Sequence, residues 1–148
     1  MSQTEEGVFS APMKHILAVD DTAIILTRIM DALRNDYEVT TINSGIRALK
    51  YLQQEKPDLI LLDIQMPNKD GIETLREIRA MRGLADIPVI MLTGVEDKSS
   101  VLESARLGIC DYILKPFSSE DLLARIRRVL KPDEEGELQK LWKEGGRR

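Results

Sequence analysis

Cysteine, histidine, long apolar runs and excess positive charge are all scarce in this chain. Its 148 residues include one cysteine, Cys110, and one histidine, His15. A single cysteine excludes an internal disulfide framework and fits a reducing compartment. His15 starts an apolar run and has no metal-ligand companion nearby, so it reads as structural. Lysine and arginine number 21 against 25 acids, a net charge of −4. No bulk positive field draws nucleic acid or anionic lipid. No run approaches the roughly 20 apolar residues of a membrane span. Met1 to Pro12 is polar and acidic, unlike a secretory signal. There is no internal repeat and no low-complexity tract. These absences point to a cytoplasmic protein with neither nucleic acid nor membrane as partner.

What is present suits one folded unit. Hydrophobic residues make up 43% and charged residues 31%, enough for one core under a charged surface. Short apolar runs fall at His15 to Val19, Tyr37 to Ile42, Leu59 to Leu62, Ile87 to Leu92 and Cys110 to Leu114. They show little polar alternation, which suits strands buried on both faces. Segments of helical spacing lie between them. Their apolar stripes are Leu26, Ile29, Met30 and Leu33; Ile46, Leu49 and Leu52; Leu75 and Ile78 within Ile72 to Met81; Val101, Leu102 and Ala105 within Lys98 to Leu107; and Leu122, Ile126, Val129 and Leu130. Ser118 with Asp121 predicts a capping-box start for the last helix, and Lys131-Pro132 its stop. Five strands alternating with five helices predict a (βα)5 α/β domain with a parallel sheet. The expected organisation is a disordered leader over 1–13, a domain over 14–131, and a charged tail over 132–148. Leu138, Leu141 and Trp142 share a face if that tail holds a short helix.

The acids then acquire a pattern. Ligands of open α/β sheets bind beyond the carboxyl ends of the strands, where strand order reverses. Just past the first, third, fourth and fifth strands stand Asp20-Asp21, Asp63, Thr93-Gly94 and Lys115-Pro116. Crowded carboxylates repel and rise in pKa unless a cation joins them. Such a cluster selects a hard divalent ion, typically magnesium. Lysine and threonine can grip an anion brought to that ion. A carboxylate so placed can attack a phosphoryl group and become an aspartyl phosphate. Each residue also has a plainer reading. Asp21 is a candidate N-cap, Asp20 a solvated loop charge, and Asp63 a loop acid before a turn. Thr93 and Lys115-Pro116 are candidate strand ends. Cys110 and Tyr112 are candidate packing residues.

The stretches "AVDD", "LLDIQMPNKDG", "MLTG" and "DYILKPF", with Asp63 and Thr93 30 residues apart and Thr93 and Lys115 22 apart, together resemble the receiver domain of two-component response regulators. The resemblance spans Lys14 to Lys131. It implies a doubly wound, flavodoxin-like sheet of five parallel strands in the order 2-1-3-4-5. It implies that Asp63 accepts the phosphoryl group. Asp21 would ligate magnesium directly, Asp20 mainly through water, and Gln65 through its backbone carbonyl, with manganese able to substitute. Thr93 and Lys115 would hold phosphoryl oxygens, and Gly94 would leave them accessible. Thr93 and Tyr112 would form the switch, and Pro116 would follow a cis peptide. The implied donor is a sensor histidine kinase or a histidine phosphotransfer protein. Output would be contact with a downstream protein, or a homodimer, through the fourth helix, fifth strand and fifth helix. Ile109 departs from the small residue usual there and puts the packing of the fourth helix in question. Gln65 and Val95 stand at positions that tune phosphoryl lifetime in the family.

Two other readings compete. A haloacid-dehalogenase-like phosphatase also places an acid after a strand, but needs a second aspartate two residues later, where this chain has Gln65. Alternatively, the chain is the receiver of a larger regulator with an output domain after Arg148. Arg125, Arg127 and Arg128 read as a solvated or partner-facing helix surface. In either receiver reading the protein is a switch, not a metabolic enzyme.

Overall fold

A computed structural model describes residues 12–94 and 98–130. The expected tail with its Leu138, Leu141 and Trp142, most of the expected leader, and the expected helix stop at Lys131-Pro132 lie outside the described residues. The order is β1 (His15–Val19), α1 (Ala23–Leu33), β2 (Glu38–Ile42), α2 (Gly45–Leu52), β3 (Leu59–Asp63), α3 (Gly71–Ala80), β4 (Val89–Thr93), α4 (Lys98–Arg106), β5 (Asp111–Leu114) and α5 (Ser119–Leu130). All four strand pairings are parallel, in the order β2-β1-β3-β4-β5. This is the expected doubly wound sheet. Strand order reverses at β1, so a crevice opens between the ends of β1 and β3.

Strand residues alternate between two cores even where every position is buried. Leu17, Val19, Ile60, Leu62, Val89 and Met91 pack with residues of α2 and α3. Ile16, Ala18, Leu59, Leu61, Ile90, Leu92 and Ile113 pack with α1 and α5. Burying each such aliphatic side chain stabilises the fold by about 1.5–3 kcal/mol. Central strands covered on both faces cannot carry an alternating polar pattern, which explains their continuous apolar runs.

Asp63 and Thr93 are the last residues of β3 and β4 rather than the first beyond them. Parallel pairing extends that far, with Asp63 opposite Leu92 and Thr93 opposite Leu114. Two helix stripes differ from expectation. In α2 the buried positions are Gly45, Ala48 and Leu52, while Ile46 is exposed. In α4 the fully buried side chain is Ser104, while Leu102 and Ala105 are exposed. At Gly45 the close neighbour is α3, where a Cβ would fall 2.2 Å from Thr74 Oγ1. Ser118 Oγ accepts from the Asp121 backbone N at 3.0 Å, but the Asp121 carboxylate accepts from Arg125 Nε instead of reaching back to the cap. A full capping box stands on α3. Asp70 accepts from Glu73 N, and Glu73 accepts from Asp70 N.

Candidate functional site

Asp20 follows β1 and is fully buried. Its Oδ1 accepts from Thr22 N at 2.9 Å, turning the chain into α1. Thr22 is the N-cap, so Asp21 is not; it is exposed at the crevice mouth. Asp63 closes β3 at 2% exposure, and its Oδ1 lies 3.3 Å from the Gln65 backbone N, which donates to it. One carboxylate oxygen from each of Asp20, Asp21 and Asp63 can be chosen so that all lie within 4.8 Å of one another.

Lys115 enters from the end of β5. Its Nζ stands 2.6 Å from Asp20 Oδ2 and 3.2 Å from Asp63 Oδ1. Burial alone would lower the lysine's pKa, but bonding to Asp20 and the fields of both acids outweigh it, and the pKa is raised. Asp63 moves the other way from a normal ion pair. Burial first, then the Asp20 charge, push its carboxyl to about 6 against the partial relief from Lys115. Repulsion among the acids is therefore present, but desolvation is the larger cause.

The loop after β3 fixes that carboxylate. Gly71 N donates to Ile64 O at 2.8 Å. A Cβ at Gly71 would fall 2.1 Å from Asp63 O. Only glycine lets α3 start this close to the backbone that carries Asp63. The signal for its role was its place one residue after a capping-box aspartate.

Thr93 is buried and Gly94 exposed. Among the described residues, a Cβ at Gly94 would meet nothing within 4 Å. Thr93 O accepts from Lys115 N at 2.7 Å, which holds the ends of β4 and β5 together. The Lys115–Pro116 peptide is cis. Tyr112 is opposite Met91 on β5 and, like Leu107 and Ile109, packs against the core on the α2 and α3 side of the sheet. Thr93 and Tyr112 thus face the same layer. Ile109 is half-buried and packs against the same core. Val95 lies outside the described residues. Cys110 is exposed rather than packed. His15 Nε2 is 2.8 Å from Thr40 Oγ1 and 3.3 Å from the Tyr51 hydroxyl, at the far end of the sheet. Arg125, expected on a solvated or partner-facing helix surface, is half-buried and donates to Asp111 at 2.8 Å, joining α5 to β5.

A family model of the response regulator receiver domain matches residues 16–127. The chain belongs to this family. Receivers are phosphoryl-accepting switches of two-component signalling, they bind a divalent metal, and they interact with histidine kinases. The chain is 38% identical over 122 residues to the alkaline phosphatase synthesis transcriptional regulatory protein PhoP of Bacillus subtilis, covering 82% of this chain and 50% of PhoP. It thus spans about half the length of that relative. The chemotaxis protein CheY4 of Vibrio cholerae is 33% identical, with a TM-score of 0.76 over 80% of this chain and 99% of CheY4. The Mn(2+)-bound form of response regulator Rcp1 is 31% identical, with a TM-score of 0.68 over 80% of this receiver and 92% of that chain.

The donor set of this receiver fits such an ion. Three carboxylates offer hard oxygen ligands. Asp20 Oδ2 is buried and, beyond its 2.6 Å ion pair with Lys115 Nζ, has no further partner among the described residues. A cation or its water would satisfy that oxygen. Among the described residues no helix is long and apolar enough to cross a membrane.

Proposed function

We propose that this receiver accepts a phosphoryl group on Asp63 from a phosphohistidine of a sensor kinase or phosphotransfer protein. The observation that carries the reading is the arrangement of Asp63. It is a buried carboxylate at a strand end, grouped with two further acids and 3.2 Å from Lys115 Nζ. Asp20, Asp21, Asp63 and the Gln65 carbonyl would hold magnesium, or manganese in its place. When bound, that ion neutralises charge shared by the carboxylate and phosphoryl oxygens.

The protein's own part is positioning and charge. An Asp63 oxygen forms the O–P bond as the N–P bond of the donor breaks. The bonding pair returns to the donor imidazole. Lys115 turns from Asp63 to an oxygen of the incoming group, and Thr93 donates to another. Gly94 leaves room for that group. Hydrolysis later returns inorganic phosphate, so the only reactions catalysed are the receiver's own phosphorylation and dephosphorylation.

Output would pass through α4, β5 and α5. Leu102 is 57% exposed and Leu114 41% exposed on this side, a surface suited to a protein target or a second copy. The compartment would be the cytoplasm. A second reading, that an output domain follows Arg148, is favoured by the half-length match to a transcriptional regulator. The reading frame beyond Arg148 decides between them.

The phosphoacceptor is tested by intact mass after incubation with acetyl phosphate and magnesium. The wild type should gain one phosphoryl group and Asp63→Asn none. An adduct of equal size on Asp63→Asn ends the assignment.

A further inference from the structure

The turn from β2 into α2 meets both sides of the acid cluster. On one side, Ile42 O at the end of β2 accepts from Asp20 N at 3.1 Å. The buried acid after β1 is thereby tied to this turn. On the other side, α2 starts against the segment that follows Asp63. A Cβ at Gly45 would fall 2.2 Å from Thr74 Oγ1 and 3.2 Å from Lys69 O. Ser44 Oγ accepts from Arg47 N at 3.1 Å, which fixes where the helix begins.

Thr74 is not a yielding neighbour. It is fully buried, and its Oγ1 donates to Asp70 O at 2.8 Å. A β-branched side chain in a helix also has few rotamers to retreat to. Asp70 is the N-cap of α3. Lys69 lies in a loop that Gly71 N closes by donating to Ile64 O. Ile64 and Met66 bury that loop's other end in the core. A push at Gly45 therefore passes through Thr74 and Lys69 into residues 64–70, and Gln65 is among them.

We propose that Gly45 is a positioning residue for the metal set. Its missing side chain lets α2 close on Thr74 without displacing the loop that carries the Gln65 carbonyl, while the same turn holds Asp20. This rests on the reading of Asp20, Asp21, Asp63 and Gln65 as that set. Gly45 is not itself a ligand and acts through the loop.

The test is magnesium affinity of the whole chain, by calorimetry without phosphodonor, beside urea unfolding of the same variants. Gly45→Ala should weaken binding about tenfold. The double variant Gly45→Ala/Thr74→Ala removes the hydroxyl that the new Cβ would strike, and should return to within about threefold of wild type. A glycine needed only for packing would lower stability in urea and leave the affinity of the folded protein unchanged. Wild-type affinity in a folded Gly45→Ala thus overturns the inference. A double variant as weak as Gly45→Ala overturns the route through Thr74. If Gly45→Ala does not fold, Thr74→Val carries the test. It sets a methyl group against Gly45 in place of the hydroxyl and should weaken binding about threefold; unchanged affinity there overturns the inference. A wild type that binds no magnesium overturns the metal set and this inference together. A phosphoryl adduct on Asp63→Asn ends the phosphoacceptor assignment alone and leaves the Gly45 result standing.

Discussion

The two flanks of the sheet are built to different standards. Around β3 and α3, a buried carboxylate ends a fully buried strand, a glycine brings the next helix against its backbone, and a capping box fixes that helix's start. Around α4 and β5, the helix buries one side chain completely, and that side chain is an unpaired serine. Leu102 and Leu114 remain exposed. The first flank suits chemistry, which needs its groups held still. The second suits signalling, which needs an element with two positions of similar free energy. Thr93, at the end of β4, lies between the two, and Tyr112 belongs to the second.

The contrast breaks most sharply at the glycines. Gly71→Ala would drive a Cβ into the backbone of Asp63 and Ile64. Neither helix nor strand can yield without disturbing the carboxylate. Urea unfolding should show a loss of about 2–4 kcal/mol. Gly94→Ala, where a Cβ would meet none of the described residues within 4 Å, should change stability by less than about 0.5 kcal/mol. Comparable losses at the two positions would mean that the rigid flank is not rigid.

The same contrast explains what the sequence made legible. The central strands show because burial on both faces leaves no polar positions in Leu59 to Leu62. The acids show because strand ends in a doubly wound sheet converge. The buried faces of α2 and α4 do not show. A reader of residue types selects Ile46 and Leu102, whereas the positions buried are Gly45, Ala48 and Ser104. Small residues carry no hydrophobic signal, yet they set how near a helix can lie. Arg79 is hidden for a related reason. Beside Ile78 it looks like one more solvated charge, and its role depends on carbonyls up to 29 residues away.

Asp63 sharpens the comparison through pH. Its folded pKa is raised from 3.8 to about 6. The folded state therefore binds the proton more tightly than the unfolded chain. Stability from this group is full below pH 3.8, falls as pH rises through the window to about 6, and stays low above it. The penalty is about 1–3 kcal/mol. Asp63→Asn removes it, so metal-free variant and wild type should differ little near pH 4, and the variant should be the more stable at pH 7.5. Thermal melts at both values measure the difference. Saturating magnesium should shrink it, by giving the ionised carboxylate a counter-ion. A variant less stable than wild type at pH 7.5 would contradict this origin of the shift.

The smallest effect concerns the link between the flanks. Thr93 ends β4 beside the site, and Tyr112 lies on the neighbouring strand facing the layer of α4. A hydrogen bond from the Thr93 hydroxyl to a phosphoryl oxygen contributes about 0.5–1.5 kcal/mol, more with a charged acceptor. That shifts a two-state equilibrium roughly tenfold without creating either state. Thr93→Ala should therefore still take up the phosphoryl group on Asp63 while responding weakly. With beryllofluoride and magnesium, wild-type NMR spectra should change at Asp63 and also across Val101 to Leu107 and Ser118 to Leu130. The variant should keep the local changes and lose much of the remote set. Remote shifts of full size in Thr93→Ala would show that the rigid flank reaches the loose one by some route other than this hydroxyl.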